Sequence, residues 1–394
     1  MATTNPTHLL GRVFTDISFQ KTHGRRTRSK KHRRTVRQRV LRLCKDLVYP
    51  NIDFERRHNT VHAKSDLLDA LVLAASHEKC TKGGCELFEE NTAPARRTPA
   101  SNTILYHIRN LNRNGNGRAK IKEMFDLALR NTLSVGRRAG AFKRRMDIAI
   151  DLHDQHYYGD KNDFMVVEGK YDRGTNHFFR FMTCSIVEAG RRFTVGSLSV
   201  HKLSVKEKLL GKTLDMAAKE VKIRAVYLDR GFYTMRVIQE LQRRNLRFLM
   251  PAPMNKKVKR LVAKFEAPHV MKYKMGRGSN TVEYNLAIMK DKEGRKKAFA
   301  TNLKIKDGPT LFKLYKKRWG IETTYRMMKH DFTPRTTSKN YVVRLFYFML
   351  STCLYNIWVL ANMLFGRIVL GCTPEKPEIS ASLFNYTLLH LEDP

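Results

Sequence analysis

The chain has 394 residues, enough for two or three domains and a sizeable buried core. A hydrophobic share of 42% with 10% aromatics excludes a disordered polymer. Seventy-five Lys and Arg against 36 Asp and Glu leave +39 at pH 7, an excess that repels itself unless a polyanion is near. Nucleic acid answers that need, since each neutralised phosphate releases a counterion; an anionic membrane or the ribosome are the alternatives.

The first 40 residues are basic and poorly patterned. Between Gly24 and Arg39 stand Arg25, Arg26, Arg28, Lys30, Lys31, Arg33, Arg34, Arg37 and Arg39, which reads as a flexible arm on a phosphate backbone or as the first turns of a basic helix. Residues 41–75 predict helix from Val40, Leu41, Leu43, Leu47, then Leu67, Leu68, Leu71 and Val72. Gly83-Gly84 and the run Pro94 to Pro99 predict loops. Ser101 is placed as a cap before Ile104, Leu105, Ile108 and Leu111, and a further helix covers Ile121 to Leu133. The helices fit a small DNA-binding module or a plain helical bundle equally well. The six cysteines are scattered, with no signal peptide, so the chain suits a reducing cytosol. His77, Cys80 and Cys85 have loose metal-ligand spacing without a second pair; plain cysteines in a loop are the simpler reading.

From Met146 the texture changes. Met146-Asp-Ile-Ala-Ile-Asp151 is a short apolar run ending in an acid, and Phe178 to Ile186 and Arg192 to Val200 predict strands. Lys206 to Val221 predicts helix, Arg224 to Asp229 a second apolar run ending in an acid, then a helix over Thr234 to Asn245 and a strand over Arg247 to Pro251. These describe a mixed sheet with helices on its faces. A basic cluster (Lys256, Lys257, Lys259, Arg260) precedes strands at Val270 to Met275, Thr281 to Met289 and Lys297 to Thr301. Helical pattern returns at Pro309 and runs to about Phe365. Phe346 to Phe365 is uncharged and long enough to span a membrane, yet it holds Asn356 and Asn362. A helix buried behind the sheet is the preferred reading.

Asp151 and Asp229 each follow an apolar strand, and parallel neighbouring strands bring such acids together. Paired carboxylates repel unless a cation or proton lies between them. Asp151 competes with Asp147, within the strand, and Asp154, past its end; a strand-end acid capping a turn is the structural alternative. His153 and His156 are either ligands or ordinary loop histidines. Asp229 is better placed, because Gly231 allows a tight turn into the next helix. A continuous helix over residues 315–329 sets Tyr315, Arg318, Glu322 and Lys329 within a ~60° arc, one ridge with a carboxylate, two cations and a phenol. Ordinary i,i+4 charge pairs on an amphipathic helix are the alternative. With Glu322 added, three oxygen donors suit hard Mg²⁺ or Mn²⁺, and two such ions serve phosphodiester chemistry.

Taken together, these segments resemble the DDE transposases of bacterial and archaeal insertion sequences, and within them the insertion-sequence-four type named for its Tyr-Arg-Glu-Lys signature. Tyr315, Arg318, Glu322 and Lys329 match its Y-x2-R-x3-E-x6-K spacing at every position. Four such matches at one start have a probability on the order of 10⁻⁵, too small for chance over this chain. Asp229, Gly231 and Phe232 match the second motif, and Asp151 is mapped to the first acid. The general texture is similar to archaeal members.

The resemblance implies an α/β fold: an RNase H-like catalytic core with a β-rich insertion, preceded by a helical N-terminal DNA-binding region. The implied divisions are a basic arm (1–40), a helical DNA-binding region (41–140), the first part of the core (141–252), the insertion (253–307), the C-terminal core helices (308–365) and a tail (366–394). It implies that Asp151, Asp229 and Glu322 are catalytic and hold two Mg²⁺ or Mn²⁺. Tyr315, Arg318 and Lys329, with Arg230 beside Asp229, would contact DNA. The implied partners are double-stranded DNA, as inverted-repeat ends and target, and a second copy in a synaptic homodimer, without a membrane. The implied location is the cytoplasm, on the nucleoid. The alternatives are a non-catalytic DNA-binding protein derived from a transposase and a structure-specific nuclease with the same core.

Overall fold

The computed structural model describes residues 30–56, 59–92 and 97–390; the arm residues Arg25, Arg26 and Arg28 lie outside them. The chain divides into two compact units. One comprises Met1–Lys143, Ala189–Phe193 and Thr324–Pro394, the other Arg144–Glu188 and Thr194–Thr323.

The first unit opens with helices α1 (Lys30–Val48), α2 (Lys64–Ser76), α3 (Thr81–Asn91), α4 (Ser101–Asn110) and α5 (Gly117–Arg138). Gly83-Gly84, expected in a loop, lies inside α3. A Cβ on Gly84 would stand 2.3 Å from the Ala70 carbonyl oxygen and 2.6 Å from Ala74 Cβ, so glycine is required for α3 to lie against α2. The cysteines expected in that loop are at the helix instead: Cys80 is its N-cap and Cys85 is within it. Burial pushes the Cys85 thiol up to about 11, which keeps it un-ionised at neutral pH.

The second unit is built on one nine-stranded mixed sheet: β1 (Met146–His156), β2 (Val167–Asp172), β3 (Thr175–Ile186), β4 (Thr194–Val200), β5 (Ile223–Leu228), β6 (Phe248–Pro251), β7 (His269–Arg277), β8 (Asn280–Lys290) and β9 (Lys296–Thr301). The order is β2-β3-β1-β5-β6-β9-β8-β7, with β4 paired to β3. Only β1-β5 and β5-β6 are parallel. Their apolar runs Ile148-Ala149-Ile150, Ala225 to Leu228 and Phe248 to Met250 are buried, as central parallel strands require. The strands between residues 269 and 301 do not form a separate sheet: Leu249↔Thr301 pairing carries the same sheet outward through β9. Helices α6 (Lys206–Glu220), α7 (Met235–Arg243), α8 (Lys256–Lys264) and α9 (Gly308–Lys316) belong to this unit, and α10 (Trp319–Met327) begins in it.

The first unit resumes with α11 (Tyr341–Leu370) and α12 (Ala381–Leu389). Asn340 caps α11 by accepting from the Val342 and Val343 amides, and Gly371 ends it at φ 75°. The expected backing for this apolar helix was a sheet, but its partners are helices. Cys44 Sγ of α1 donates to the Ile357 carbonyl at 3.4 Å, and Phe125 of α5 meets Phe346 edge-on at 5.1 Å. Asn362 is satisfied by Trp358 and Ile379 backbone groups. Among the described residues this is the single helix long and apolar enough to cross a membrane, and 78% of its apolar window is buried inside the protein.

Candidate active site

Strand β1 is longer than its apolar run. It continues through Leu152 to His156 by antiparallel pairing with β3, up to His156↔Phe178. Asp151 is therefore mid-strand, not at a strand end as expected, and His153 and His156 lie in the strand rather than a loop. The parallel pairing with β5 stops at Ile150↔Leu228. Asp151 and Asp229 are the next residues on the two strands, so both carboxylates emerge where the parallel ladder ends. Strand alternation puts Asp154 on the opposite face from Asp151. There Arg180 holds it through Nε–Oδ1 at 2.5 Å and Nη2–Oδ2 at 2.7 Å. His156 Nε2 pairs with Asp172 at 2.8 Å.

Asp229 opens a 3₁₀ turn, Arg230–Phe232. Gly231 was expected for tight turning, but its φ is not left-handed. A Cβ there would stand 3.2 Å from Asp229 Oδ1, close enough to press on that carboxylate. That oxygen is buried and has no hydrogen-bond partner. Lys206 Nζ donates to the Gly231 carbonyl at 2.7 Å, which fixes the turn. Arg230 is exposed.

The helix over residues 315–329 is not continuous. Tyr315 is in α9, the chain tightens through i→i+3 bonds from Lys317 to Ile321, and α10 carries Glu322 in its first turn. Residues Met328–Phe332 then widen into a π-helix, which buries both Met328 and Phe332. The expected single ridge is thus broken twice. Tyr315, Arg318 and Glu322 belong to the sheet-containing unit, whereas exposed Lys329 belongs to the helical one.

Arg318 meets the carboxylates directly. Its Nη1 stands 3.4 Å from Asp151 Oδ2, and its Nη2 is hydrogen-bonded to Glu322 Oε1. Its guanidinium also lies 5.7 Å from the Tyr315 ring centroid. The Tyr315 ring packs edge-on against Phe299 of β9 at 5.3 Å, and burial pushes its phenol up to about 12. Burial raises the Asp151 carboxyl to about 7; the neighbouring Asp229 charge adds to this, the Leu152 amide donating to Oδ1 at 2.9 Å and then Arg318 oppose it, and Glu322 adds a smaller push. Asp151, Asp229 and Glu322 are therefore within electrostatic reach of one another. Among the described residues, no three His, Cys, Asp or Glu side chains are grouped to hold a metal ion as they stand. Arg318 sits between Asp151 and Glu322 instead.

Sequence reasoning missed a second cluster. Asp147 is buried in β1 and accepts from Lys317 Nζ at 2.6 Å and from Arg224 Nε and Nη2 at 2.7 and 2.5 Å. The available signal was an acid on a buried strand four residues before Asp151, since such a charge needs a partner.

An acid pair stands where a parallel ladder ends, and Arg318 links Asp151 of that pair to the helix-borne Glu322. Residues 150–357, more than half of the chain, match the transposase DDE domain, and the chain belongs to that family. The fold is similar to that of piggyBac transposase, solved as a synaptic complex with hairpin DNA: the TM-score is 0.60 at 12% identity, over 89% of this chain and 79% of that one. No curated protein matches the chain.

Proposed function

We propose that this transposase cuts DNA at insertion-sequence ends and joins the freed 3′-hydroxyl to target DNA by two-metal phosphodiester transfer. The observation that carries this reading is the juxtaposition of Asp151 and Asp229 on adjacent parallel strands, with Glu322 close enough to raise Asp151. The donor set fits a hard divalent cation: all three ligands are carboxylates, Asp229 Oδ1 is buried without a partner, and Asp151 is short of positive charge. Asp151, Asp229 and Glu322 would hold Mg²⁺ or Mn²⁺, Glu322 on release from Arg318. When bound, the ions supply activation of the attacking hydroxyl and charge stabilisation at the leaving oxygen. Arg318, relieved of the carboxylates, offers a forked contact to a DNA phosphate. Tyr315, Lys329 and exposed Arg230 add phosphate contacts, and the basic helices of the N-terminal region add further ones.

The Tyr-Arg-Glu-Lys spacing supports the insertion-sequence-four type, of archaeal texture, with an RNase H-like core interrupted by β7 to β9. The piggyBac transposase was captured in a synaptic complex with hairpin DNA, which supports duplex ends and a homodimer as the partners here. The cytoplasm, on the nucleoid, is where such an enzyme acts.

The test is purified chain with end-containing DNA and Mn²⁺. The parent nicks and joins, and Glu322→Gln binds ends without cutting. Tight binding with no cleavage at any salt concentration would favour the non-catalytic DNA-binding alternative, and nicks without joined product a structure-specific nuclease.

A further inference from the structure

We propose that Asp147 and Lys317 form a positioning clamp that holds the corner bearing Arg318 and Glu322 against β1; this rests on the carboxylate-centre reading above. Asp147 is 1% exposed, so its charge must be met by protein. Three donor atoms meet it, two from Arg224 and one from Lys317.

Arg224 reaches it because of a bulge. Met146 pairs with Ile223 and Asp147 with Ala225, which leaves Arg224 as the extra residue of β5. A bulge re-aims the side chain it carries, and Glu188 Oε1 steadies the guanidinium at 2.8 Å. Asp147 is thereby a fixed acceptor built from β1 and β5.

Lys317 and Arg318 are consecutive, at the turn between α9 and α10. Lys317 bonds Asp147, and Arg318 reaches Asp151 on the same strand. Four residues of strand separate the two anchor points, about 13 Å at ~3.3 Å per residue. A corner tied at two such rungs cannot pivot about either one. Glu322 sits in the first turn after that corner, so its place relative to Asp151 is set by the two ties together here and by the Lys317 tie alone once Arg318 leaves the carboxylates. Lys317 acts through Asp147 and is a positioning residue, not a catalytic one.

The experiment compares Lys317→Met and Lys317→Arg in the full chain. The readouts are kcat and KM on end DNA, and Mn²⁺ affinity without DNA, followed by electron paramagnetic resonance. Lys317→Met lowers kcat about tenfold to a hundredfold, as expected for a displaced catalytic group. It weakens Mn²⁺ binding several-fold and leaves KM nearly unchanged; Lys317→Arg recovers most of both losses. Asp147 keeps Arg224 in these variants, so the fold survives, and thermal melting checks this. Parental kcat and Mn²⁺ affinity in Lys317→Met overturn the clamp. So does a kcat loss that merely follows the folded fraction while Mn²⁺ affinity stays parental. Glu322→Gln in the same series separates the two ideas. Normal cleavage by it removes the carboxylate-centre reading, whereas a dead Glu322→Gln beside a parental Lys317→Met removes the clamp alone.

Discussion

Asp147 and Asp151 share one strand and differ in the positive charge each is given. Burial pushes the carboxyl of each upward. At Asp147 the Arg224 and Lys317 hydrogen bonds more than offset it, and the carboxyl ends below its ordinary value. At Asp151 the Leu152 amide and a single guanidinium, shared with Glu322, face burial and the Asp229 charge together, and the carboxyl stays at about 7. An acid with its full complement of cations is scaffold. One left short of positive charge is a candidate place for a cation to bind, and the proposed chemistry rests on that difference within one strand.

The largest effect tests the under-compensated end. Asp151→Asn should reduce end cleavage by about a thousandfold or more while end binding persists, measured on matched amounts of folded protein. Its stability effect has a defined sign. Because the folded carboxyl is raised, its contribution is fully present below the ordinary carboxylate range and is lost as pH rises through about 7. Asp151→Asn should therefore melt above the parent near pH 8.5, with an advantage that shrinks as pH falls through about 7 and is gone only below the ordinary carboxylate range.

The compensated end breaks differently. Asp147→Asn removes the carboxylate from Lys317 and leaves Arg224 with Glu188 alone; both cations are partly exposed, so the cost is discounted to about 2 kcal/mol by denaturant unfolding at pH 7. Here the folded carboxyl is lowered, so its contribution is present above the unfolded value and lost as pH falls through the folded one. The gap between parent and variant should close in acid; a gap that persists unchanged would argue against the ion pairs.

A smaller shift follows from Asp229→Asn, which removes the like charge facing Asp151. The Asp151 midpoint should fall below about 7 in a carboxyl-resolved titration; an unmoved midpoint would mean burial alone sets it. Smallest is Asp154→Asn, which loses the Arg180 pair on the opposite face, costs about 1 kcal/mol or less and leaves cleavage within a few-fold.

The acids were readable because Ile148-Ala149-Ile150 and Ala225 to Leu228 are unbroken apolar runs, and a buried parallel strand leaves few other patterns. The extension of β1 was not readable: His153-Asp154-Gln155-His156 is polar, and only pairing with β3 makes it strand. The period of 3.6 residues gave helix across 315–329 but not its tightening at Lys317 or its widening at Met328, which burial of Met328 and Phe332 accompanies. Arg318 was assigned to DNA from its signature position. Its contact with Asp151 depends on a strand far away in sequence, and no local pattern encodes that. Gly84 read as a turn because its role, close approach of α3 to α2, is invisible without the partner helix.

The most direct measurement is Mn²⁺ binding to the full chain with end DNA, by electron paramagnetic resonance, for the parent, Asp229→Asn and Asp154→Asn. The account predicts that Asp229→Asn weakens Mn²⁺ binding at least about tenfold while Asp154→Asn matches the parent. Equal Mn²⁺ affinity in all three would contradict the placement of the catalytic centre between β1 and β5.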